Sequence, residues 1–434
     1  MGGRFPFNPG VESNAHARDA LIIGGGPGGS TAAILLAQAG RRVTLLEKEI
    51  FPRFHVGESL LPYSRPLFRR LGVLETLEGA GFPTKHGAQF HLGNGSASTR
   101  FDFASGRFTR ETQTVQVERA RFDQILLERA REAGADVREG WAVRSFTPDP
   151  DGVRVQAAVR TGAQQELRAR FLIDASGRAN VTGNQEGLRV LHPRHRKVAL
   201  FAHFQGVHRD AGEAGGDTVI VRLENRWVWL IPISETKTSV GLVMDPAELD
   251  RAVESPEATF DRCIQSSLRL REFMRAAQRV SPMHTTGDFS YYNRRLAGER
   301  LIRVGDAAGF LDPIFSSGVF LAMWSGELAA DAVAGALAQA KPGRRPFGRY
   351  ERRMRRATRL YWRMVEAYYT WPFMELFLQP RAGLDLPAAV NALLAGELEP
   401  HWNIRWRLAV FFLLVKIQGF WPLAPRLTAG SPPS

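Results

Sequence analysis

The chain has 434 residues, of which 44% are hydrophobic and 23% charged, with a formal net charge of +13 at pH 7. This mixture is ordinary for a globular protein, and the length predicts two or three folding units. The single cysteine, Cys263, excludes a disulfide framework, a zinc ribbon and an iron–sulfur cluster held by several cysteines. Residues 1–18 lack the apolar core of a signal peptide, so we expect a disordered lead. The longest apolar run, residues 408–415, is shorter than the about 20 residues of a membrane-spanning helix.

The first predicted elements surround a glycine-rich turn. Residues 20–23 are apolar, small and aliphatic residues follow the turn, and residues 42–47 read Arg-Val-Thr-Leu-Leu-Glu, which predicts strand, turn, helix and strand. Glycines in this setting let backbone amides approach a pyrophosphate at the helix N-terminus. Glu47, about 20 residues on, is placed to accept a hydrogen bond from a ribose hydroxyl. The segment therefore predicts a dinucleotide site with the glycines Gly24, Gly26 and Gly29.

The remaining predicted elements alternate between helical and strand patterns. In chain order they are a helix at 121–133, strands at 137–157 and 171–174, adjacent antiparallel strands within 195–245, a strand at 301–304 and a long helix at 319–340. After Gln379 the pattern becomes helical again, with proline-rich breaks.

Two later segments indicate which dinucleotide the chain binds. Asp306, in a glycine-rich turn after the strand at 301–304, supplies a second carboxylate of the kind that holds part of the cofactor in FAD enzymes of this architecture. Residues 171–177 bring a further strand to the same place. These pieces favour FAD over NAD, and the chain has no second glycine motif for a separate nicotinamide domain. Arg119 lies where related flavoproteins place an arginine near FAD, although a salt-bridged helix start fits it equally well.

The predicted fold class is α/β: a three-layer Rossmann-like FAD-binding domain, a β-sheet substrate region and a C-terminal helical region. The predicted boundaries are 1–18 for the lead, 19–180 and 285–340 for the discontinuous FAD-binding domain, 181–284 for the β-rich substrate region and 341–434 for the helical region.

Four segments carry a family resemblance. They are residues 52–62, residues 82–90, the Trp-x-Trp-x-Ile-Pro segment at 227–232 and residues 305–318. Together they resemble the flavin-dependent halogenases of the tryptophan-halogenase type, which are related to geranylgeranyl reductases and aromatic hydroxylases. The resemblance covers residues 20–340 and leaves the C-terminal part uncovered.

The resemblance implies that reduced FAD, O₂ and halide produce hypohalous acid, which must reach an organic substrate without escaping. Lys85 matches the segment that carries the family's active-site lysine, which would aim the oxidant. The alternative is a surface lysine before a turn at Gly87. Trp227 and Trp229 lie two apart on a predicted strand and face one side. They would separate flavin from substrate, or they are two core tryptophans of a sheet.

Four further residues complete the implied site, and one position departs from the family. Ser316, Ser317 and Gly318 open a helix where the family places halide near the cofactor, although a serine N-cap explains them equally well. Tryptophan-type halogenases have a glutamate directly before this tripeptide, whereas this chain has Phe315, which favours phenol- or pyrrole-acting branches. Glu58, at a predicted helix start, is the nearby carboxylate to test as a catalytic group; a capping or flavin-side structural role is the alternative.

The functional prediction is a two-component halogenase for an electron-rich aromatic, supplied with reduced FAD by a separate flavin reductase. The alternative is an FAD-dependent monooxygenase or a geranylgeranyl-reductase-like enzyme for an aromatic or lipid substrate. A third hypothesis is a non-enzymatic module that binds membrane or nucleic acid, but the chain lacks nucleic-acid motifs. His192 and His195 have no supporting ligands in the sequence, so we expect no metal.

The C-terminal region combines arginines with aromatic residues. Residues 341–363 hold an arginine cluster, and residues 402–421 mix tryptophan and phenylalanine with basic residues. This composition suits a peripheral membrane surface or a lid over an apolar substrate. Helices that simply pack on the core are the alternative. We expect a cytoplasmic protein, with peripheral contact to the inner face of the membrane as an option.

Overall fold

The computed structural model describes residues 18–249, 254–339, 345–381 and 383–428. Within them, strands β1 to β18 are, in order, Arg18–Ile23, Val43–Glu47, Thr84–Lys85, Gly87–Leu92, Ser98–Asp102, Thr114–Val115, Asp136–Glu139, Trp141–Asp149, Gly152–Val159, Gln164–Asp174, Arg189–Gln205, Thr218–Arg222, Trp227–Pro232, Lys237–Met244, Gln278–Arg279, His284–Asn293, Leu301–Arg303 and Gly309–Phe310. Helices α1 to α12 are Pro27–Gln38, Ser64–Leu71, Leu74–Glu78, Arg119–Glu132, Val181–Gln185, Pro256–Gln265, Leu268–Phe273, Gly318–Leu337, Arg345–Tyr368, Trp371–Leu378, Leu386–Ala395 and Trp402–Phe420.

The first sheet contains the glycine motif. Strands β7, β2, β1, β10 and β17 pair in parallel, and β8 and β9 continue the sheet as antiparallel strands alongside the first half of β10. Parallel strands are covered on both faces and therefore read as continuous apolar runs. The predicted strands at 20–23, 42–47, 171–174 and 301–304 correspond to β1, β2, β10 and β17.

The parallel strands of this sheet form the middle of three layers. Alternate side chains of β1 point to opposite faces, so Ala20 and Ile22 join the main core with the helices, whereas Leu21 and Ile23 pack with Val155 and its neighbours from β8 and β9. Helices α1 and α8 approach so closely that a Cβ on Gly28 would lie 2.9 Å from a carbonyl oxygen of α8. The predicted three-layer α/β arrangement is therefore confirmed.

The second sheet has the order β18-β16-β11-β14-β13-β12-β4-β5, with β15 beside β11. The predicted antiparallel neighbours β12, β13 and β14 are confirmed. One face packs on α6 and α7 through residues such as Leu230 and Phe260. The opposite face turns Phe201, Trp227 and Trp229 into the main core, towards the first sheet and the C-terminal helices.

The strand pairing differs from the predicted domain boundaries. Strands β4, β5 and β16 lie within the ranges predicted for the FAD-binding domain, yet they pair into the second sheet, where β4 lies beside β12 and β16 beside β11. A strand pattern identifies a strand, but tertiary contacts choose its partner. The division of the chain into four regions stays a prediction.

The C-terminal helices pack on the core. Tyr350, Tyr361 and Tyr368 of α9 are buried, which favours packing for this part of the aromatic region. In α12, Phe411 and Phe412 are buried whereas Trp402 and Phe420 are exposed.

Residues 1–17 of the predicted lead, and residues 341–344, 382 and 429–434 of the helical region, lie outside the described residues, and Arg18 belongs to β1. In the described part, α8 alone is long and apolar enough to cross a membrane, and 72% of its apolar window is buried inside the protein.

Candidate active site

The glycine turn between β1 and α1 forms a cradle of backbone. Gly24 has φ +96°, in the left-handed region, and a side chain there would overlap the carbonyl oxygen of Ala175. A side chain on Gly29 would overlap the carbonyl oxygen of Gly24. By contrast, a Cβ on Gly26 would contact only the Arg53 guanidinium, at 3.5 Å, so space remains above the turn. The open helix start and this space fit the pyrophosphate of a dinucleotide.

Glu47 braces the turn. Its buried carboxylate accepts hydrogen bonds from the backbone N–H of Gly25 at 2.6 Å and of Glu49 at 2.8 Å. Each carboxylate oxygen can accept more than one hydrogen bond, so this arrangement is compatible with the predicted ribose contact. The role of Glu47 towards ribose stays a prediction.

Asp306 lies in a short 3₁₀ helix after β17, near two arginines. Burial raises the pKa of Asp306 to about 6, and the charges of Arg178 and Arg119 oppose this rise. Arg119 is the first residue of α4, 4% exposed, and donates two hydrogen bonds of 2.8 Å to Asp123. Both interpretations of Arg119 are therefore compatible with its position: it forms the salt bridge and also lies near Asp306.

One candidate cofactor residue was not predicted. Arg53 lies beside Gly26, and its Nη1 is 3.4 Å from Asp123 Oδ2. A guanidinium above a glycine turn is well suited to a phosphate. The signal for Arg53 in the sequence is its place in residues 52–62, a segment of the family resemblance.

Lys85 is buried, so the surface-lysine alternative is wrong. The residue ends β3, is 1% exposed, and its Nζ donates to Ser59 Oγ at 2.9 Å and to the Leu60 carbonyl at 3.2 Å. Burial lowers the pKa of Lys85 to about 7, opposed by the charge of Asp217. An amine with this pKa is present in both protonation states near neutral pH, as a donor and as a nucleophile.

Ser59 anchors the lysine to the second sheet. Its hydroxyl lies 2.7 Å from the hydroxyl of Thr218, the first residue of β12. Thr218 Oγ1 also accepts a hydrogen bond of 2.9 Å from Gln116. The resulting chain of contacts holds Nζ of Lys85 in a fixed place. Ser59 and Thr218 were not among the predicted site residues, because their contacts join distant parts of the chain.

Trp227 and Trp229 form a buried wall on one face of β13. They are 1% and 6% exposed, with ring centroids 5.9 Å apart. Trp229 donates to Ser239 Oγ at 3.1 Å, and Gly241 on β14 leaves the space that its indole fills. The pair belongs to the core of the sheet, as the alternative interpretation states. Its role as a barrier between flavin and substrate stays a prediction.

The C-terminal region contributes a partner to this wall. Trp227 Nε1 donates to the hydroxyl of Tyr369 at 3.0 Å, and this hydroxyl donates to Asp312 Oδ2 at 2.6 Å. Asp312 belongs to the segment 305–318 of the family resemblance. The tryptophan wall, the residue that follows α9 and the segment 305–318 are therefore joined by one chain of hydrogen bonds.

Glu58 is buried beside a histidine. Its Oε1 lies 2.8 Å from Nε2 of His203 on β11, and its Oε2 has no hydrogen-bond partner within the described residues. No helix starts here: α2 begins at Ser64, so the predicted helix start at Glu58 and its capping role are wrong. His203 was not predicted. It shares a face of β11 with Phe201, whose ring lies 5.9 Å from Trp229.

The predicted halide residues surround the start of α8. Ser316 has φ +55°, Ser317 precedes the helix without a side-chain capping bond, and Gly318 begins it. The serine N-cap is thus not formed by a side-chain hydrogen bond. A Cβ on Gly318 would meet nothing within 4 Å, so the helix N-terminus faces open space. Phe315 is buried against the edge of Tyr368, with ring centroids 5.8 Å apart.

The segment 57–59 connects the predicted groups. A Cβ on Gly57 would lie 3.1 Å from Arg119 and 3.7 Å from Val319 in the first turn of α8. Glu58 contacts His203 and the adjacent Ser59 contacts Lys85, so this segment links the two predicted catalytic groups, whose side chains have different hydrogen-bond partners.

His192 and His195 lie closer to a third polar group than the sequence indicates. With Glu366 of α9 they bring three ligand-type atoms within 4.8 Å of one another, and His192 stacks on Trp362 at 4.7 Å. That the chain holds no metal stays a prediction.

Comparisons with known proteins extend this picture. Residues 17–364 match the FAD binding domain family. The chain is 33% identical over 396 residues to 1H-pyrrole-2-carbonyl-(peptidyl-carrier protein) chlorinase of Pseudomonas fluorescens, covering 86% of this chain and 88% of that protein. It is 37% identical over 321 residues to tryptophan 2-halogenase of Chondromyces crocatus, covering 72% of this chain and 60% of that protein.

A solved structure shows the same relationship. The flavin-dependent brominase Bmp2 superposes with a TM-score of 0.84 and 28% identity, covering 93% of this chain and 99% of that one. These matches favour the halogenase prediction over the monooxygenase and prenyl-reductase alternatives. The chain is an FAD-dependent enzyme, and it belongs to the flavin-dependent halogenases.

Proposed function

We propose that this enzyme halogenates an electron-rich aromatic ring of the pyrrole type, presented on a carrier protein, with Lys85 delivering the halogen. The observation that carries the proposal is the fully buried Lys85, fixed by Ser59 and Leu60 beside the sheet that holds the tryptophan wall. The substrate class rests on the similarity to the Pseudomonas fluorescens chlorinase, whose name specifies a carrier-bound pyrrole. Phe315, in place of a carboxylate, also favours this branch over free tryptophan.

The cofactor would lie on the glycine cradle. Gly24, Gly26, Gly29 and Gly318 would supply backbone amides and close approach, while Glu47, Arg119 and Asp306 would hold its polar groups. Bound reduced FAD with O₂ supplies the oxidising equivalents that convert halide to hypohalous acid. The amides of Ser316, Ser317 and Gly318 at the start of α8 would bind the halide, because a helix N-terminus favours an anion.

Lys85 would then bind hypohalous acid through Nζ and aim it at the ring. In the transfer, the ring carbon forms a bond to halogen and the oxygen–halogen bond breaks. The hydroxide released combines with the proton that leaves the same carbon, so hypohalous acid and arene give haloarene and water. A lysine whose pKa lies near 7 can donate a hydrogen bond to the oxygen in its protonated form.

Glu58 would accept the ring proton on the way to water. One of its oxygens faces His203 and the other lacks a hydrogen bond within the described residues, so the carboxylate has capacity for a proton. Trp227 and Trp229 would exclude water and keep the substrate away from the flavin. We also propose a separate flavin reductase as the source of reduced FAD, in the cytoplasm.

The test measures bromination directly. The purified protein would receive reduced FAD, O₂ and bromide, with an easily brominated phenol as trap. We expect bromination in the wild type and a loss of at least about 100-fold in Lys85→Ala, since removing a group that positions or activates a reactant typically costs two to four orders of magnitude. Flavin titration must show unchanged FAD binding in the variant.

The exposed Lys416→Ala on α12 is the matched control for the loss of one lysine. Peroxide release without bromination, in wild type and Lys85→Ala alike, would contradict the halogenase mechanism proposed for Lys85.

A further inference from the structure

An arginine-lined cavity lies between α9 and α12, away from the residues described above. It has a volume of about 340 Å³, and its basic lining consists of Arg356, Arg359, Arg363 and Arg405. On α9 the first three follow the spacing i, i+3, i+7, so they share one helix face. A cavity of this volume is within the range of small-molecule sites.

The four arginines differ from their neighbours in charge pairing. On the same helix, Arg353 pairs with Glu399 at 2.7 Å and Arg355 with Glu351 at 2.9 Å. Within the described ranges, Arg356, Arg359, Arg363 and Arg405 form no ion pair with a carboxylate. The carboxylate of Glu399 also lines the cavity, but it is paired with Arg353, so the lining keeps an excess of positive charge that an anion would neutralise.

The floor of the cavity is apolar. Leu408 and Phe412 of α12 are buried at its base, beside Leu360 of α9. The guanidinium of Arg363 lies over the Phe412 ring, 3.8 Å from its centroid, and burial lowers the pKa of Arg363. The site therefore combines charge that suits a phosphate, which guanidinium groups bind in a bidentate manner, with apolar surface that suits an attached organic chain.

The cavity is connected to the substrate side by a single helix. Tyr368, the last residue of α9, packs against Phe315. At a rise of about 1.5 Å per residue, Arg363 and Arg356 lie about 8 Å and about 18 Å before Tyr368 along the axis. A phosphate held there would need a long flexible linker to place a ring at the active site. The substrate arm of a carrier protein is such a linker, attached through a phosphodiester.

We propose that the cavity between α9 and α12 binds the phosphate of the carrier arm and so positions a carrier-bound substrate. This inference rests on the proposed function, because it assigns a docking site to the carrier-bound ring. It gives the arginine cluster a partner of defined chemistry: a phosphate diester followed by an organic chain.

The test compares phosphorylated and unphosphorylated ligands. Calorimetric titration of the full-length enzyme with phosphopantetheine, the free carrier arm as a phosphate monoester, should show binding at least tenfold tighter than with pantetheine, the same arm without phosphate. The double variant Arg359→Gln, Arg405→Gln should lose this preference. In turnover, the ratio of kcat/KM for the carrier-bound ring to kcat/KM for a phosphate-free thioester of the same ring should fall at least tenfold in the double variant.

Arg352→Gln provides the matched control, since Arg352 is exposed on α9 but does not line the cavity. An unchanged ratio in the double variant, with both substrates halogenated, would overturn the docking site and leave the proposed function intact. Halogenation of neither substrate would contradict the proposed function, while the phosphopantetheine titration would still test the cavity. If vesicles of phosphatidylglycerol and phosphatidylcholine bind the wild type but not the double variant, and phosphopantetheine does not compete, the site is a membrane surface and the inference is wrong.

Discussion

The cofactor side and the substrate side of the active site are built in different ways. On the cofactor side, the backbone forms the cradle: the glycine turn after β1 and the start of α8 present amides and space. On the substrate side, side chains from distant elements meet, as when Trp227 of β13 contacts Tyr369 after α9. A site made of backbone amides depends little on the neighbouring side chains, but it cannot accommodate an added Cβ. A side-chain site depends instead on burial and on hydrogen-bond partners.

The largest expected effect on cofactor binding comes from adding one methyl group to the backbone cradle. A side chain on Gly29 would overlap the carbonyl oxygen of Gly24, so Gly29→Ala must displace the turn. We expect FAD affinity to fall by at least about 100-fold, since losing about 2.7 kcal/mol of binding free energy corresponds to that factor. Fluorescence titration with FAD measures the change.

Gly335→Ala is the matched control for this substitution. Gly335 lies in α8, and a Cβ there would meet nothing within 4 Å. Alanine should therefore stabilise the helix by up to about 1 kcal/mol without changing FAD affinity. Equal FAD affinity in Gly29→Ala and wild type would show that the turn adapts, and the contrast between the two sides would not hold.

The second prediction concerns the burial of Lys85 on the substrate side. Burial lowers its pKa from 10.5 to about 7, so between these pH values the unfolded chain binds more protons than the folded one. Lys85 therefore costs stability, by about 5 kcal/mol below pH 7, and the cost falls to zero as the pH rises towards 10.5. Lys85→Met removes this cost. The difference in unfolding free energy between Lys85→Met and wild type should therefore fall by about 1.4 kcal/mol per pH unit between pH 7 and pH 10.5.

Chemical denaturation at several pH values measures that slope. Methionine also loses the hydrogen bonds to Ser59 and Leu60, but their loss shifts all values in the same direction without producing the slope. Lys416→Met controls for the loss of one exposed lysine. If the stability difference from wild type has the same pH slope in Lys416→Met, or no pH slope in Lys85→Met, then burial does not hold Lys85 in its neutral form.

The two sides also differ in how far the sequence could predict them. The glycine turn, Glu47 and the succession of strand, turn, helix and strand around them are local features, because they lie close together in the chain and follow from backbone geometry. The barrier pair Trp227 and Trp229 could be placed on one face from their spacing alone. For these local features the structure agrees with the sequence prediction.

Contacts across the chain could not be predicted in this way. Ser59 meets Thr218, Glu58 meets His203, and Tyr369 meets both Trp227 and Asp312, at sequence separations that no period reveals. The pairing of β4 with β12 moved a predicted segment of the FAD-binding domain into the second sheet for the same reason. Only the family resemblance, through Lys85 and the segment 305–318, indicated that these regions converge.

The smallest predicted effect isolates one hydroxyl of the substrate side. Tyr369→Phe keeps the ring and its contact with Lys197, whose Nζ lies 4.6 Å from the centroid, but removes the hydrogen bonds to Trp227 and Asp312. Burial raises the pKa of Asp312, and the Tyr369 hydroxyl opposes that rise, so the variant should raise it further. Leaving buried polar groups without partners costs about 1–3 kcal/mol of stability.

Neighbouring Tyr368 offers the matched comparison. Its hydroxyl is buried and has no hydrogen-bond partner within the described residues, so Tyr368→Phe removes the same atom without breaking a hydrogen bond. Urea unfolding should therefore show a loss in Tyr369→Phe and almost none in Tyr368→Phe. We expect kcat/KM to fall about threefold in Tyr369→Phe, equivalent to about 0.7 kcal/mol. Equal losses in the two variants would mean that packing of the two tyrosine rings, and not the hydrogen bonds of the Tyr369 hydroxyl to Trp227 and Asp312, holds the wall in place.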